Sequence, residues 1–310
     1  MFICGCPRSG TTLLGRLADA HPELAVVHES RFIADWYEKR VGLTPHGEVT
    51  PTLVSELARY PRYTRLGLGR DVLQRLLTAD RPVSYDRFVS GIFDLYGEAV
   101  GKRIVGDKTP RYVRSLPTLH ALWPEARFVH IIRDGRDVCL SVLNWGKGPT
   151  GRFSAWAEDP VSVVALWWRW HVLLGRQDGG ALGGRLYHEL RYESIVSAAE
   201  RECAALCEFL GLAYDEAMLR FHEGRERGEP RLDAKKAWRP VTSGLRNWRE
   251  QMPAADVERF EAAAGDVLAE LGYARSVERP SAKARERAAK LKESFTRDVR
   301  ARPRRLPERW

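Results

Sequence analysis

Phe2-Ile3-Cys4-Gly5-Cys6-Pro7-Arg8-Ser9-Gly10-Thr11-Thr12 is the stretch from which the fold can be read. Its first three residues form a short apolar run of strand type. Gly5, Pro7 and Gly10 then make a turn-forming loop, and from Thr11 onward Leu13, Leu14, Leu17 and Ala18 recur at helical spacing as far as His21-Pro22. A strand, a glycine-framed loop and a helix in that order aim backbone N–H groups and the positive end of the helix dipole at one point, which suits a phosphate or sulfate group. The frame is Gly-x4-Gly. Thr11 stands where a nucleoside triphosphatase carries the lysine that reaches the β- and γ-phosphates, and Arg8 lies inside the loop instead.

Working outward, a second strand is expected at 24–27, running into His28-Glu29-Ser30 and an aromatic-rich helix through Tyr37. The stretch 42–100 is helical by pattern, broken at Pro45, Pro51, Pro61 and Pro82, and reads as an insertion over the core without a chemical motif. Alternation then resumes: strand 103–106, helix 111–122, apolar strand 127–132, helix 137–145, Trp-rich helix 161–174, strand 185–190, and helix 194–210 closed by Gly211. This pattern predicts a three-layer α/β sandwich with a mostly parallel central sheet, whose ligand sites lie at the carboxyl ends of the strands. Near the end Ala284, Leu291, Phe295 and Val299, with Ala288, mark one apolar face of a basic helix, and beyond Ala301 the chain is expected to fray. The organisation expected is a main domain at 1–274 with its insertion at 42–100, and a basic C-terminal helix and tail at 275–310.

With 310 residues, 44% hydrophobic and 29% charged, the chain can bury a substantial core, and these figures exclude a disordered or collagen-like chain. Its longest apolar stretch, 161–175, is interrupted by Arg169 and His171, which excludes a membrane-spanning helix. The net charge of +9 invites an anionic partner. Thirteen Lys and Arg against five acids in 275–310 place +8 of it in the tail, leaving a nearly neutral body. One reading of that tail is a module binding nucleic acid or anionic membrane. Cys4, Cys6, Cys139, Cys203 and Cys207 are scattered, lack a CxxC pair and have no histidine cluster beside them, so reduced thiols and no metal are expected. The chain opens directly on its first strand, without a basic or apolar leader, and a cytoplasmic location is expected from that.

A second constellation is Arg127-Phe128-Val129-His130-Ile131-Ile132-Arg133-Asp134, with Ser141 eight residues beyond Arg133. An arginine emerging from a buried strand, followed by a helix carrying a hydroxyl, can grip a second phosphate. Asp134 could instead be a magnesium-binding acid, which would suit a P-loop small-molecule kinase; the arginine before it and the missing loop lysine argue against that. Local sequence also allows Arg133 and Asp134 to be a plain surface pair.

Taken in order, Pro7-Arg8-Ser9-Gly10-Thr11-Thr12, Glu29-x-Arg31, Asp107-Lys108-Thr109-Pro110, Arg133 with Ser141, and Tyr192-Glu193 resemble the sulfotransferases that use 3′-phosphoadenosine-5′-phosphosulfate (PAPS), above all the branch containing tyrosylprotein sulfotransferases. The resemblance spans most of residues 2–250 and implies a P-loop-like α/β fold. It implies that Arg8, Ser9, Gly10, Thr11 and Thr12 hold the 5′-phosphosulfate, that Arg133, Ser141 and Tyr192 hold the 3′-phosphate, and that Lys108 sits on the transferring group. Glu29 would be the general base, with His28 the second candidate, and Arg31 would face the acceptor. Arg239 and Arg246 could close over the donor from the segment before Trp248. Sulfuryl transfer moves a group with less negative charge than a phosphoryl group, so Lys, Arg and amide donors can serve without magnesium. Local sequence alone leaves Lys108 open as a surface lysine, Glu29 as a helix-terminal charge and Tyr192 as a half-buried sheet aromatic. Asp35 occupies the position of that branch's second acceptor arginine, which leaves a sugar, a lipid, a small molecule and a peptide all open as the source of the acceptor hydroxyl.

Overall fold

A computed structural model describes residues 1–77, 81–145, 148–149, 153–223, 240–242, 244, 246–302 and 304–310. The strands are β1 (Phe2–Gly5), β2 (Leu24–His28), β3 (Ile104–Lys108), β4 (Phe128–Ile132) and β5 (Tyr187–Arg191), all parallel in the order β2-β3-β1-β4-β5. The helices are α1 (Thr11–Asp19), α2 (Phe32–Glu38), α3 (Pro51–Arg59), α4 (Arg70–Leu76), α5 (Tyr85–Val100), α6 (Leu116–Leu122), α7 (Gly135–Leu143), α8 (Pro160–Leu182), α9 (Tyr192–Ser197), α10 (Ala199–Leu210), α11 (Trp248–Gln251), α12 (Ala254–Glu270) and α13 (Ala282–Arg300). The expected α/β sandwich with a parallel sheet is the fold observed.

Strand alternation produces the layers. Phe2 and Cys4 of β1 face one side, where they meet the apolar residues of α2, α3, α5 and α6; Ile3 faces the other, with Leu14 and Leu17 of α1 and Cys203 and Leu206 of α10. A third apolar cluster gathers α7, α8, α12 and α13 around the fully buried Trp167, Trp168 and Trp170. Because β1 lies between β3 and β4, the chain leaves it toward one edge and later returns to build the other. A crevice therefore opens beyond the carboxyl end of β1, the place where open α/β sheets bind ligands.

Four local expectations are corrected. The stretch 111–122 is a 3-10 turn, Pro110–Arg114, followed by α6 rather than one helix, and 194–210 is divided at Ala198, whose φ of −147° is not helical. Strand β3 runs two residues further than expected, so Lys108 ends the strand. The described residues after Ala301 do not fray: the Trp170 indole N–H donates to the Arg305 carbonyl at 2.8 Å, Arg305 pairs with Asp178, and the Trp310 ring stacks on Phe295 with centroids 5.5 Å apart. A tryptophan and two well-placed partners outweigh the freedom that a polar terminus otherwise keeps. Helix α13 buries Ala288, Leu291, Phe295 and Val299 in the same cluster, with Phe295 stacked on Phe153 at 4.6 Å.

Candidate active site

The end of β1 and the loop after it are shaped by two glycines at positive φ. Gly5 has φ +150° and an added Cβ would run into the Ile131 carbonyl; Gly10 has φ +98° and its Cβ would strike the Tyr192 ring. Gly10 thereby lets α1 begin against Tyr192, and Ser9 N–H closes the loop on the Cys6 carbonyl at 3.1 Å. Arg8, itself at φ 78°, turns its Nε to the Ser141 hydroxyl on α7 at 3.0 Å, with its guanidinium 5.2 Å from the Trp145 ring centroid. Burial holds the pKa of Arg8 below the usual arginine range, and the positive charges of Arg246 and Arg133 push the same way.

Arg133 leaves the end of β4 and lies 4.3 Å over the Tyr192 ring. Its Nη2 is 3.3 Å from Asp137 Oδ2, and Asp137 also accepts the Trp248 N–H at 3.0 Å, tying α11 to this arginine. Asp134 caps α7 through the Arg136 N–H at 2.9 Å and is gripped by the Arg136 side chain at 3.0 and 2.7 Å. Arg136 also pairs with Glu261 at 2.7 Å beneath the Trp248 ring. The Asp134 carboxylate is thus committed to a buried ion network.

The other half of the site forms where β2 and β3 end side by side. His28 is in register with Lys108, and the Glu29 N–H donates to the Lys108 carbonyl at 2.8 Å. The Glu29 carboxylate meets three cations: Arg31 at 2.6 Å, Arg62 at 3.4 Å and Lys108 at 3.4 Å. Lys108 is 2% exposed; burial lowers the pKa of its ammonium, and Glu29 opposes that shift. Asp35 forms an ion pair with Arg111, so the acid in place of the expected arginine neutralises a cation that the sequence supplies elsewhere.

These groups line one cavity of about 480 Å³, of a size suited to a nucleotide-scale ligand. Arg8, Gly10, Thr11, Thr12, Arg133, Ser141, Tyr192, Glu29 and Arg31 all border it; Ser9 lies buried within the loop, and Lys108 reaches it through Glu29. His28 ends β2 but does not line the cavity. Arg246 does, whereas Arg239 lies outside the described residues. Among the described residues, the lining holds six arginines, at 8, 16, 31, 111, 133 and 246, against the single carboxylate of Glu29. Arg133 Nε in the lining and Ser9 Oγ in the adjoining loop are among the buried polar atoms without a hydrogen-bond partner.

Several site residues were not read from the sequence. Arg16 follows Thr12 by one helical turn, and Arg111 follows Lys108-Thr109-Pro110 directly, so both had a local signal. Arg62 had none: it reaches back from the insertion to donate to the Glu29 carbonyl at 2.8 Å. Trp145 and Phe221 supply apolar walls.

The Sulfotransferase family model matches residues 1–216. Nodulation protein NoeE of Sinorhizobium fredii is 30% identical over 300 residues, covering 89% of this chain and 66% of its own length, so the chain spans slightly less than two thirds of that relative. Protein-tyrosine sulfotransferase 1 of Danio rerio is 26% identical over 281 residues, covering 88% of this chain and 72% of its own. Among solved structures, the sulfotransferase domain from the curacin biosynthetic pathway superposes with a TM-score of 0.51 at 18% identity, covering 93% of this chain and 95% of that one, which supports the fold. Since the matched segment contains all five strands, the loop after β1 and the paired ends of β2 and β3, the chain belongs to the sulfotransferase family.

Proposed function

We propose that the protein transfers a sulfuryl group from PAPS to an acceptor hydroxyl by in-line displacement. The observation that carries this reading is the cavity lining, which among the described residues has six arginines and one carboxylate, a charge balance matched to a donor with a 5′-phosphosulfate and a 3′-phosphate. The loop Arg8 to Thr12 would hold the 5′ group, with Ser9 Oγ among its donors. Arg133, Ser141 and Tyr192 would hold the 3′-phosphate, with Arg133 Nε free to donate. Arg239 is proposed to close over the donor.

Glu29 would take the proton as the acceptor oxygen bonds to sulfur, and the sulfur–oxygen bond to the bridging phosphosulfate oxygen would break with its electron pair leaving on adenosine 3′,5′-bisphosphate (PAP). Lys108, already beside Glu29, would neutralise the charge growing on that oxygen. Arg31 is proposed to face the acceptor, which replaces it as a partner of Glu29. The acceptor is a hydroxyl-bearing molecule. Asp134, held by Arg136, and Thr11, in place of a loop lysine, both weigh against the kinase reading. Calorimetry compares PAP with ATP plus magnesium: tighter binding of PAP supports the sulfotransferase reading, and preference for ATP with magnesium refutes it.

A further inference from the structure

Among the described residues, non-glycine backbone with positive φ occurs at Arg8, Glu29, Arg31 and Arg40, and the first three border the cavity. Each such residue costs on the order of 1 kcal/mol or more, so Glu29 at 55° and Arg31 at 59°, separated by one residue, need support from the surrounding structure. Ser30 lies between them and is where that support attaches. Its N–H donates to Asp107 Oδ2 at 3.1 Å, and its hydroxyl is 3.0 Å from the Tyr112 hydroxyl. The same Tyr112 oxygen accepts the Ile33 N–H at 3.0 Å, fixing the first turn of α2 beyond Arg31.

Ser30, Asp107 and Tyr112 are all buried, and burial pushes the Asp107 carboxyl up to about 6. A carboxylate in that place is costly to the fold, so its retention calls for a role. Asp107 and Lys108 are consecutive in β3, and strand alternation sends their side chains to opposite faces. Asp107 is in register with Phe2, on the Tyr112 side, and Lys108 with Ile3, on the α1 side. The turn is therefore held from both faces of one strand end: its backbone by Asp107, its carboxylate by Lys108.

We infer that Asp107, together with Tyr112, is a positioning residue of the active site, fixing through Ser30 the left-handed turn that keeps the Glu29 carboxylate against the Lys108 ammonium. The inference rests on the reading of Glu29 and Lys108 as a functional pair, and its test keeps the two separable.

The chain has nine lysines, so the Lys108 ammonium can be followed by 15N NMR of lysine-labelled full-length protein, its signal identified by loss in Lys108→Arg. The charges facing Lys108 are Glu29, Asp107 and Arg16. Glu29→Gln is expected to lower its titration midpoint by about 1–3 pH units. Asp107→Asn and Asp107→Ala remove the same charge, but only Asn keeps an oxygen that accepts the Ser30 N–H. The midpoint in Asp107→Ala should fall below that in Asp107→Asn by most of the Glu29→Gln effect. Tyr112→Phe, which changes no charge near neutral pH, should also lower it from the wild-type value. Equal midpoints for the two Asp107 variants, with Tyr112→Phe at the wild-type value, overturn the positioning role. Should Asp107→Ala fail to fold, Tyr112→Phe decides alone. A midpoint unmoved by Glu29→Gln overturns the Glu29–Lys108 pair itself, and the inference with it.

Discussion

Replacing Arg133 by methionine isolates one phosphate contact. The side chain is 8% exposed, stacked over Tyr192 at 4.3 Å and paired with Asp137 at 3.3 Å, so methionine can occupy the same slot while removing the charge. A phosphate about 4 Å from a guanidinium gains about 4 kcal/mol at the effective dielectric of a partly buried site, and a charge-assisted hydrogen bond is worth about 1.5–3 kcal/mol net. Asp137 already draws on the same guanidinium, which places the loss at about 2–4 kcal/mol, or about 30- to 1,000-fold in Kd. The assay is calorimetry with two nucleotides: PAP, which carries the 3′-phosphate, and adenosine 5′-monophosphate, which lacks it. The wild type should favour PAP strongly. Arg133→Met should erase most of that preference while changing the affinity for adenosine 5′-monophosphate less than about threefold. Equal weakening of both nucleotides, or an undiminished preference for PAP, refutes the assignment of Arg133 to the 3′-phosphate.

Glu29→Gln should lower turnover about 10²–10⁴-fold with labelled PAPS and an acceptor found by screening, leaving PAP affinity nearly unchanged; wild-type turnover in the folded variant counts against the base assignment. Gly10→Ala should weaken PAP binding and lower the melting temperature, since φ +98° and the Tyr192 ring both oppose a Cβ, and a fully wild-type variant contradicts the loop geometry. In Asp107 the folded carboxyl titrates at about 6 against an ordinary 3.8, so between those values the folded state holds a proton that the unfolded chain has released. Wild-type stability therefore falls as pH rises through that window. Asp107→Asn should be more stable at pH 7.5 by up to about 3 kcal/mol, with the gain gone below about pH 4 in paired denaturant titrations. Phe295→Ala should cost about 3–5 kcal/mol, because its ring stacks between Phe153 and Trp310; a loss under 1 kcal/mol would show that α13 does not share the core.

Much of the site was legible because its signals are local. A loop framed by Gly5 and Gly10, an arginine at the end of an apolar strand and a hydroxyl two turns along α7 are each contained within a dozen residues, where backbone sterics and helical spacing fix relative positions. Where the sequence misled, nonlocal contacts were responsible. The final residues 304–310 read as a polar terminus, yet Trp170, Asp178 and Phe295 hold them from far away in the chain. The same holds for Arg62, whose surroundings in the sequence carry no motif but whose guanidinium supports Glu29.

Periodicity and turn chemistry over a few residues were enough to give the order of strands and helices, the glycine-framed loop after β1 and the candidate site residues in its neighbourhood. Which charges meet is set by the three-dimensional packing. Parallel pairing of β2 with β3 sets His28 beside Lys108, which brings Glu29 to Lys108 across 79 positions of chain and sets Asp107 under Ser30. It also pairs Asp35 with Arg111 and Asp134 with Arg136, leaving Glu29 as the one acid in the cavity lining among the described residues. The reason is physical: an ion pair acts over a few ångströms in space, and chain separation says nothing about that distance until strand register fixes it.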